Sequence, residues 1–192
     1  EWLSVVNSTV YYNTSTGAAI SVGPATSSKI RSSTIVGNTA TGQLFGGISG
    51  VAEIANSIVA NNLPTYDCGD PLTSLGHNIE GGTGCGFTAT GDQQSTDPMV
   101  GLLADNGGPT QTLALLAGSP AIDGGDPAGC NDGGLGVLLV DQRWYAREVD
   151  GDGNGSAICD VGAFEYASYD FAPIFEDGFE TGDLSEWDSS IP

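Results

Sequence analysis

The sequence predicts an all-β protein, a right-handed parallel β-helix (solenoid) with an irregular C-terminal cap and an extended tail. Three observations carry this. Thirty glycines and many Ser, Thr and Asn residues favour turns and extended segments over helices. No window keeps apolar residues at helical spacing among good helix formers. A short motif also recurs: "STVYYN" (Ser8–Asn13), "STIVGN" (Ser33–Asn38) and "SIVANN" (Ser57–Asn62).

Each motif reads as a brief β-branched strand that ends in a polar turn. A glycine-rich return follows, such as "STGAAISVG" or "GQLFGGISG". Aligned on Asn13, Asn38 and Asn61, the motifs are 25 and 23 residues apart, a period typical of stacked architectures. In a parallel β-helix every coil hydrogen-bonds to its neighbours about 4.8 Å away. Like residues then lie over like, so the recurring Asn is expected to form a ladder of side-chain amides. A leucine-rich repeat would need a denser Leu pattern, and a propeller blade a longer period. "SLGHNIEGG" (Ser74–Gly82) reads as a fourth, degenerate coil. Residues 1–96 are therefore assigned to the coils.

From Asp97 the pattern changes to short apolar runs between turn signals, Asp97-Pro98, Asn106-Gly107-Gly108-Pro109 and Gly118-Ser119-Pro120 among them. Residues 97–166 are read as terminal coils and a disulfide-stapled acidic cap, because end repeats are atypical. "TLALLAG" (Thr112–Gly118) fits either one strand or one helical turn. Residues 167–192 form an acidic aromatic tail, too short for a core of its own.

The four cysteines contain no CxxC pair and His77 is the only histidine, which argues against structural zinc. Neighbourhood in sequence favours Cys68–Cys85 and Cys130–Cys159 among three connectivities, with reduced buried thiols as the other reading.

Charge excludes whole classes of partner. Four basic residues, Lys29, Arg31, Arg143 and Arg147, face 24 acidic ones, for a net charge of −20. Such a surface repels nucleic acid and anionic lipid. No apolar run reaches membrane-span length. No signal peptide is visible, and the chain opens within a strand pattern, as a processed or truncated chain would.

"DNGGPTQTLALLAGSPAIDGGD" and "DQRWYAREVDGDGNGSAICDVGAFEY" carry a family resemblance. Over about residues 56–166 the chain resembles the choice-of-anchor Q domain proteins, bacterial secreted parallel β-helix proteins. More broadly it is similar to polymorphic outer-membrane-protein-like surface proteins. Trp144 departs from the pattern, standing where that group usually has Gly after Asp-Gln-Arg. The tail "FEDGFETGDLSEW" is similar to a C-terminal segment associated with sorting or attachment. The resemblance implies an extracellular or bacterial cell-surface location and no particular reaction.

In "VDGDGNGSAICDVGAFEY", Asp150, Asp152 and Asn154 alternate as ligands do in calcium loops, and Gly155 permits a sharp turn. Asp160 or Glu165 would complete the shell. An EF-hand is excluded, since Val161 stands where its last Glu would be. The competing reading is a solvated turn pinned by a Cys159 disulfide. Asp123, Asp126 and Asp132 make a weaker second candidate. Arg143 and Arg147 are expected to pair with Asp141, Glu148 or the Asp150 region, and Trp144-Tyr145 to offer a stacking surface if exposed.

Enzymatic readings have less behind them. Lys29 and Arg31 lie far in sequence from the acidic cluster, whereas a lyase needs a base beside its metal. A glycosidase needs two carboxyls across a cleft, and no Asp pair stands out. His77 reads as a turn or packing residue. The expected function is a non-catalytic secreted or cell-surface structural or adhesive protein. It would self-associate through the β-helix ends or the tail, end to end into filaments, and contact a surface polysaccharide. The alternatives are a fragment of a β-helix carbohydrate-active enzyme and a calcium-dependent carbohydrate-binding module.

Overall fold

The computed structural model describes residues 3–23, 28–131 and 136–167. The first coil carries β1 (Ser4–Val6), β2 (Thr9–Tyr11), β3 (Thr14–Ser15) and β4 (Ile20–Ser21). The second carries β5 (Ser28–Arg31), β6 (Thr34–Val36), β7 (Thr39–Ala40) and β8 (Phe45–Ser49). β9 (Ala52–Ala55), β10 (Ile58–Ala60) and β11 (Tyr66–Cys68) make the third, and β12 (Thr73–Ser74) and β13 (Ile79–Glu80) begin a fourth. Pairing runs between coils rather than along the chain, in sheets ordered β1-β5-β9-β12, β2-β6-β10-β13 and β4-β8-β11, with a short β3-β7 pair. All these pairs are parallel. The chain is an all-β solenoid of about three turns, as its repeat predicts.

The coil shape comes from two corners. Asn7, Ser32, Asn56 and His77 turn the chain between the first two sheets with φ of 52°, 45°, 49° and 56°. Tyr12, Gly37 and Asn61 turn it again after the second sheet, at 55°, 70° and 57°. One left-handed residue per corner reverses the side-chain direction that strand alternation would otherwise impose. Stacking brings backbones into contact at glycines: a Cβ on Gly50 (φ 93°) would lie 1.8 Å from the Val22 carbonyl oxygen.

Beside each corner runs a hydrogen-bonded ladder. Asn13 Nδ2 donates to Asn38 Oδ1 at 2.9 Å, and Asn38 Nδ2 to Asn62 Oδ1 at 2.9 Å. The third member is therefore Asn62, where the sequence alignment places Asn61. In the observed register Val36 faces Ala60, so Asn61 stacks on Gly37 in the left-handed turn and Asn62 falls under Asn38. The second ladder uses serine: Ser8 N–H donates to Ser33 Oγ, Ser33 N–H to Ser57 Oγ, and Ser57 N–H to Asn78 Oδ1.

The inner core is a column of aliphatics, Ile30, Ile35, Ile48, Ile54 and Val59, ending on Leu72 and Phe87. The β2-β6-β10-β13 sheet is apolar outside as well. Val36, Ile58, Ala60 and Ile79 face a second core with Leu113, Leu115, Ala121, Val161 and Phe164. A short strand buried on both faces reads as a continuous apolar run, which is what "TIV" and "SIVA" are.

Residues 85–96 close the C-terminal end of the stack. There Leu72, His77 and Glu80 N–H donate to the carbonyls of Cys85, Thr90 and Gln93. Residues 97–131 and 136–166, within the stretch read from sequence as last coils and a cap, lie along the side. β14 (Val100–Ala104) and β15 (Thr112–Leu115) form an antiparallel hairpin, so "TLALLAG" begins as a strand and ends in a turn. The following chain runs down the outward-pointing corner residues. His77 Nδ1 lies 3.1 Å from the Gly124 carbonyl, Asn56 Oδ1 accepts Asp126 N–H, and Asn7 Oδ1 accepts Arg147 Nη2. The physical reason is the apolar outer face of β6 and β10, which must be covered along its length.

Both disulfides take the pairing that sequence neighbourhood favours, Cys68–Cys85 and Cys130–Cys159. Two disulfides are the mark of an oxidising compartment outside the cytoplasm. No helix among the described residues is long and apolar enough to cross a membrane. The expectations for Asp132 and for the tail from Ser168 fall outside the described residues.

Candidate functional site

Three features collect polar chemistry: an acidic loop, a buried charge clasp and an open rung. The loop follows from its aspartates and glycines. Asp150 accepts N–H groups of Gly153, Asn154 and Gly155 at 2.8, 3.0 and 2.8 Å. Gly153 and Gly155 supply the positive φ these turns require, 77° and 90°. Asp152 accepts from Asn154 N and Nδ2, and Asn154 Oδ1 accepts Ser156 N–H at 2.8 Å.

Among the described residues, carboxylate oxygens of Asp123, Asp150 and Asp152 lie within 4.8 Å of one another. Asp123 reaches the loop by accepting Asp152 N–H at 2.8 Å. Three converging carboxylates fit the acidic part of a calcium shell; the remaining positions among six to eight would fall to carbonyls and water. Asn154 is tied to Ser156, and Asp126 Oδ1 accepts Ala128 N–H outside this group.

Asp160 and Glu165 are not in the loop. Both are fully buried, in a clasp with Arg143, Arg147 and Asp141. Arg147 donates to Glu165 Oε2 at 3.2 Å, to the Gly162 carbonyl at 2.8 Å and to Asn7 Oδ1 at 2.7 Å, tying the flank to the first coil. Arg143 pairs with Asp141 at 2.6 Å and donates to the Glu165 carbonyl. Its guanidinium lies 3.6 Å from the Phe164 ring centroid and 4.3 Å from that of Tyr145. Of the partners expected for the arginines, Asp141 is used and Glu148 is not.

Asp160 Oδ1 accepts Asp123 N–H and Oδ2 accepts Tyr166 N–H. Burial, reinforced by the Glu165 charge, pushes its carboxyl up to about 8. Burial also raises Glu165 against the pull of Arg147, and lowers Arg147 itself. The aspartate–arginine pattern thus locks the fold rather than presenting a ligand.

Trp144 is 67% exposed with φ 72°, a left-handed conformation that glycine adopts far more readily. Tyr145 is half-buried under Arg143, and the two rings make no shared exposed platform. A different aromatic surface lies on the third sheet. Phe45 and Tyr66 are register neighbours there, and with Gln43, Leu44 and Gly69 they line a groove of about 420 Å³.

The open rung, among the described residues, is the first coil: β1, β2, β3 and β4 are each outermost in their sheets, as β11 is at the other end of the third sheet. Asn38 Oδ1 accepts both N–H and Nδ2 of Asn13, whereas no described residue donates to Asn13 Oδ1. Comparison with known family models, curated proteins and solved structures returned no match.

Proposed function

We propose that this chain is a non-catalytic, secreted or cell-surface structural and adhesive protein whose solenoid presents a strand edge to another chain. The observation that carries the reading is the first rung, a row of outermost strands beside an unfinished amide ladder. Such an edge templates further strand addition. The buried clasp and two disulfides suit a rigid scaffold outside the cytoplasm. The similarity to secreted bacterial β-helix proteins points the same way. Sedimentation of the purified chain over a wide concentration range tests it: association that strengthens with concentration is expected, and a monomer throughout refutes the reading.

Two further contacts belong to this role. The Phe45–Tyr66 groove, uncharged on a protein of net charge −20, suits a neutral surface polysaccharide stacked on its rings. The Asp123, Asp150 and Asp152 loop suits calcium, which would neutralise the most crowded carboxylates. Loss of glycan binding in Tyr66→Ala, with unchanged folding, is the expected outcome at the groove.

A further inference from the structure

We infer that Asn154 is a self-modifying site: the folded loop converts it to aspartate and isoaspartate, releasing ammonia, without an enzyme. The inference is separate from the calcium reading, since no ion takes part.

The chemistry starts from the sequence. A glycine after an asparagine has no side chain to hinder its nitrogen on the way to the asparagine amide carbon. The chain has two such pairs, Asn106-Gly107 and Asn154-Gly155. In the second, Gly155 N attacks Asn154 Cγ and the new C–N bond closes a cyclic imide. Nδ2 leaves as ammonia, carrying the proton that Gly155 N gives up. Water then opens the imide. Addition at Cγ restores the main chain and leaves aspartate, whereas addition at the main-chain carbonyl carbon of residue 154 leaves isoaspartate. Neither step oxidises or reduces anything.

The loop supplies the groups this reaction uses. Gly155 N–H donates to Asp150 Oδ2 at 2.8 Å, so a carboxylate already faces the proton that must leave. Asn154 Oδ1 accepts Ser156 N–H at 2.8 Å, which puts a donor on the oxygen that turns negative as nitrogen adds. Asn154 Nδ2 donates to Asp152 Oδ2 at 2.8 Å, and this holds the amide between its two neighbours. Asn154 and Gly155 are both exposed, so water reaches the imide. A Cβ built on Gly153 or Gly155 would meet nothing within 4 Å, so the rotation that ring closure needs is unobstructed.

Asn106 is the contrasting case. Gly107 N–H also faces a carboxylate, Asp105 Oδ1 at 3.1 Å. Its amide, however, is tied to β15: Asn106 Nδ2 donates to the Thr112 carbonyl at 2.8 Å and to Thr112 Oγ1 at 3.1 Å. Arg143 Nη1 donates to the Asn106 carbonyl at 3.3 Å. A Cβ on Gly107 would lie 2.2 Å from the Tyr145 hydroxyl, so the backbone there has no room to turn. The fold opens one pair and shuts the other. Reaction at Asn154 adds a negative charge beside Asp150 and Asp152, and the isoaspartate product also lengthens the loop main chain by one carbon.

Peptide mass spectrometry on the full chain, incubated at mildly alkaline pH with chelator, tests this. A positioned general base is worth about 10²–10⁴-fold, and a carboxylate facing so weak an acid as an amide falls at or under the bottom of that range, so about tenfold is expected. Asn154 should therefore convert about tenfold faster than Asn106, and about tenfold faster than in the reduced chain held unfolded in urea. Asp150→Asn removes the base and should bring the folded rate down to the unfolded one. The two wild-type comparisons decide the matter should that variant lower the melting temperature. Asn106 reacting as fast as Asn154, a folded rate at or below the unfolded one, or a folded Asp150→Asn chain reacting at the wild-type rate overturns the inference and leaves the calcium and scaffold readings standing.

Discussion

Replacing Asn62 with Ala, beside the same change at Asn61, separates the ladder from the corner. Asn62 is buried, and its Oδ1 accepts the N–H and Nδ2 of Asn38 at 3.0 and 2.9 Å. Its Nδ2 donates to the Ile35 carbonyl at 3.0 Å and to Asp67 at 2.9 Å. In Asn62→Ala, Asp67 keeps the residue-62 N–H, and the Asn38 amide keeps the carbonyls of Val10 and Val36. The Ile35 carbonyl keeps the Ala60 N–H of the parallel ladder, so only the Asn38 N–H is left without a partner inside the stack. At about 1–3 kcal/mol for a buried unsatisfied group, with the lost Ile35 and Asp67 contacts added, the expected loss is about 2–3 kcal/mol. For a chain of this size that is a fall of roughly 5–10 °C in melting temperature. Asn61 makes no side-chain bond and is exposed at φ 57°. Asn61→Ala should cost only about 1 kcal/mol, the penalty for an ordinary residue in the left-handed region. Urea denaturation with both disulfides intact measures the difference. If Asn61→Ala proves as damaging as Asn62→Ala, the register and both ladders are wrong.

Other outcomes follow from the buried acids and the loop. Burial raises the carboxyls of Asp67, Glu80, Glu165 and Asp160, the last to about 8. Raised acids stabilise fully below their unfolded values near 4, and that contribution is lost as pH rises through the folded ones. Calorimetry should therefore show the melting temperature falling from pH 5 to pH 9; a flat or rising profile contradicts this. Glu80 Oε2 is buried without a partner, so Glu80→Gln is expected to stabilise above pH 7 and to lose that advantage near pH 4. Calcium should raise the melting temperature, and the combined Asp150→Asn and Asp152→Asn change should abolish the rise; titration with and without chelator reads it. Trp144→Gly relieves a left-handed tryptophan and should gain up to about 1 kcal/mol after the added freedom of the unfolded chain is subtracted.

Strand position and stacking were legible in the sequence because they are local and periodic. A β-branched triplet, a left-handed turn and an Asn recur at nearly one spacing, and parallel stacking turns that repeat into a column. Proximity in the chain was also enough to favour Cys68–Cys85 and Cys130–Cys159. The irregular member was not legible: the two adjacent asparagines of "SIVANN" leave the alignment one residue ambiguous, and only the Val36–Ala60 register decides it. Tertiary structure alone decided the fate of the acids. Asp150, Asp152, Asp160 and Glu165 look alike within one short stretch, yet two face solvent and two are buried with Arg147. Asp123 enters the loop from far along the chain, and Asp67 and Asp92 become ladder ends through contacts no local pattern announces. A repeat specifies the fold through neighbours one coil away, whereas a charge takes its role from whatever distant chain packs against it.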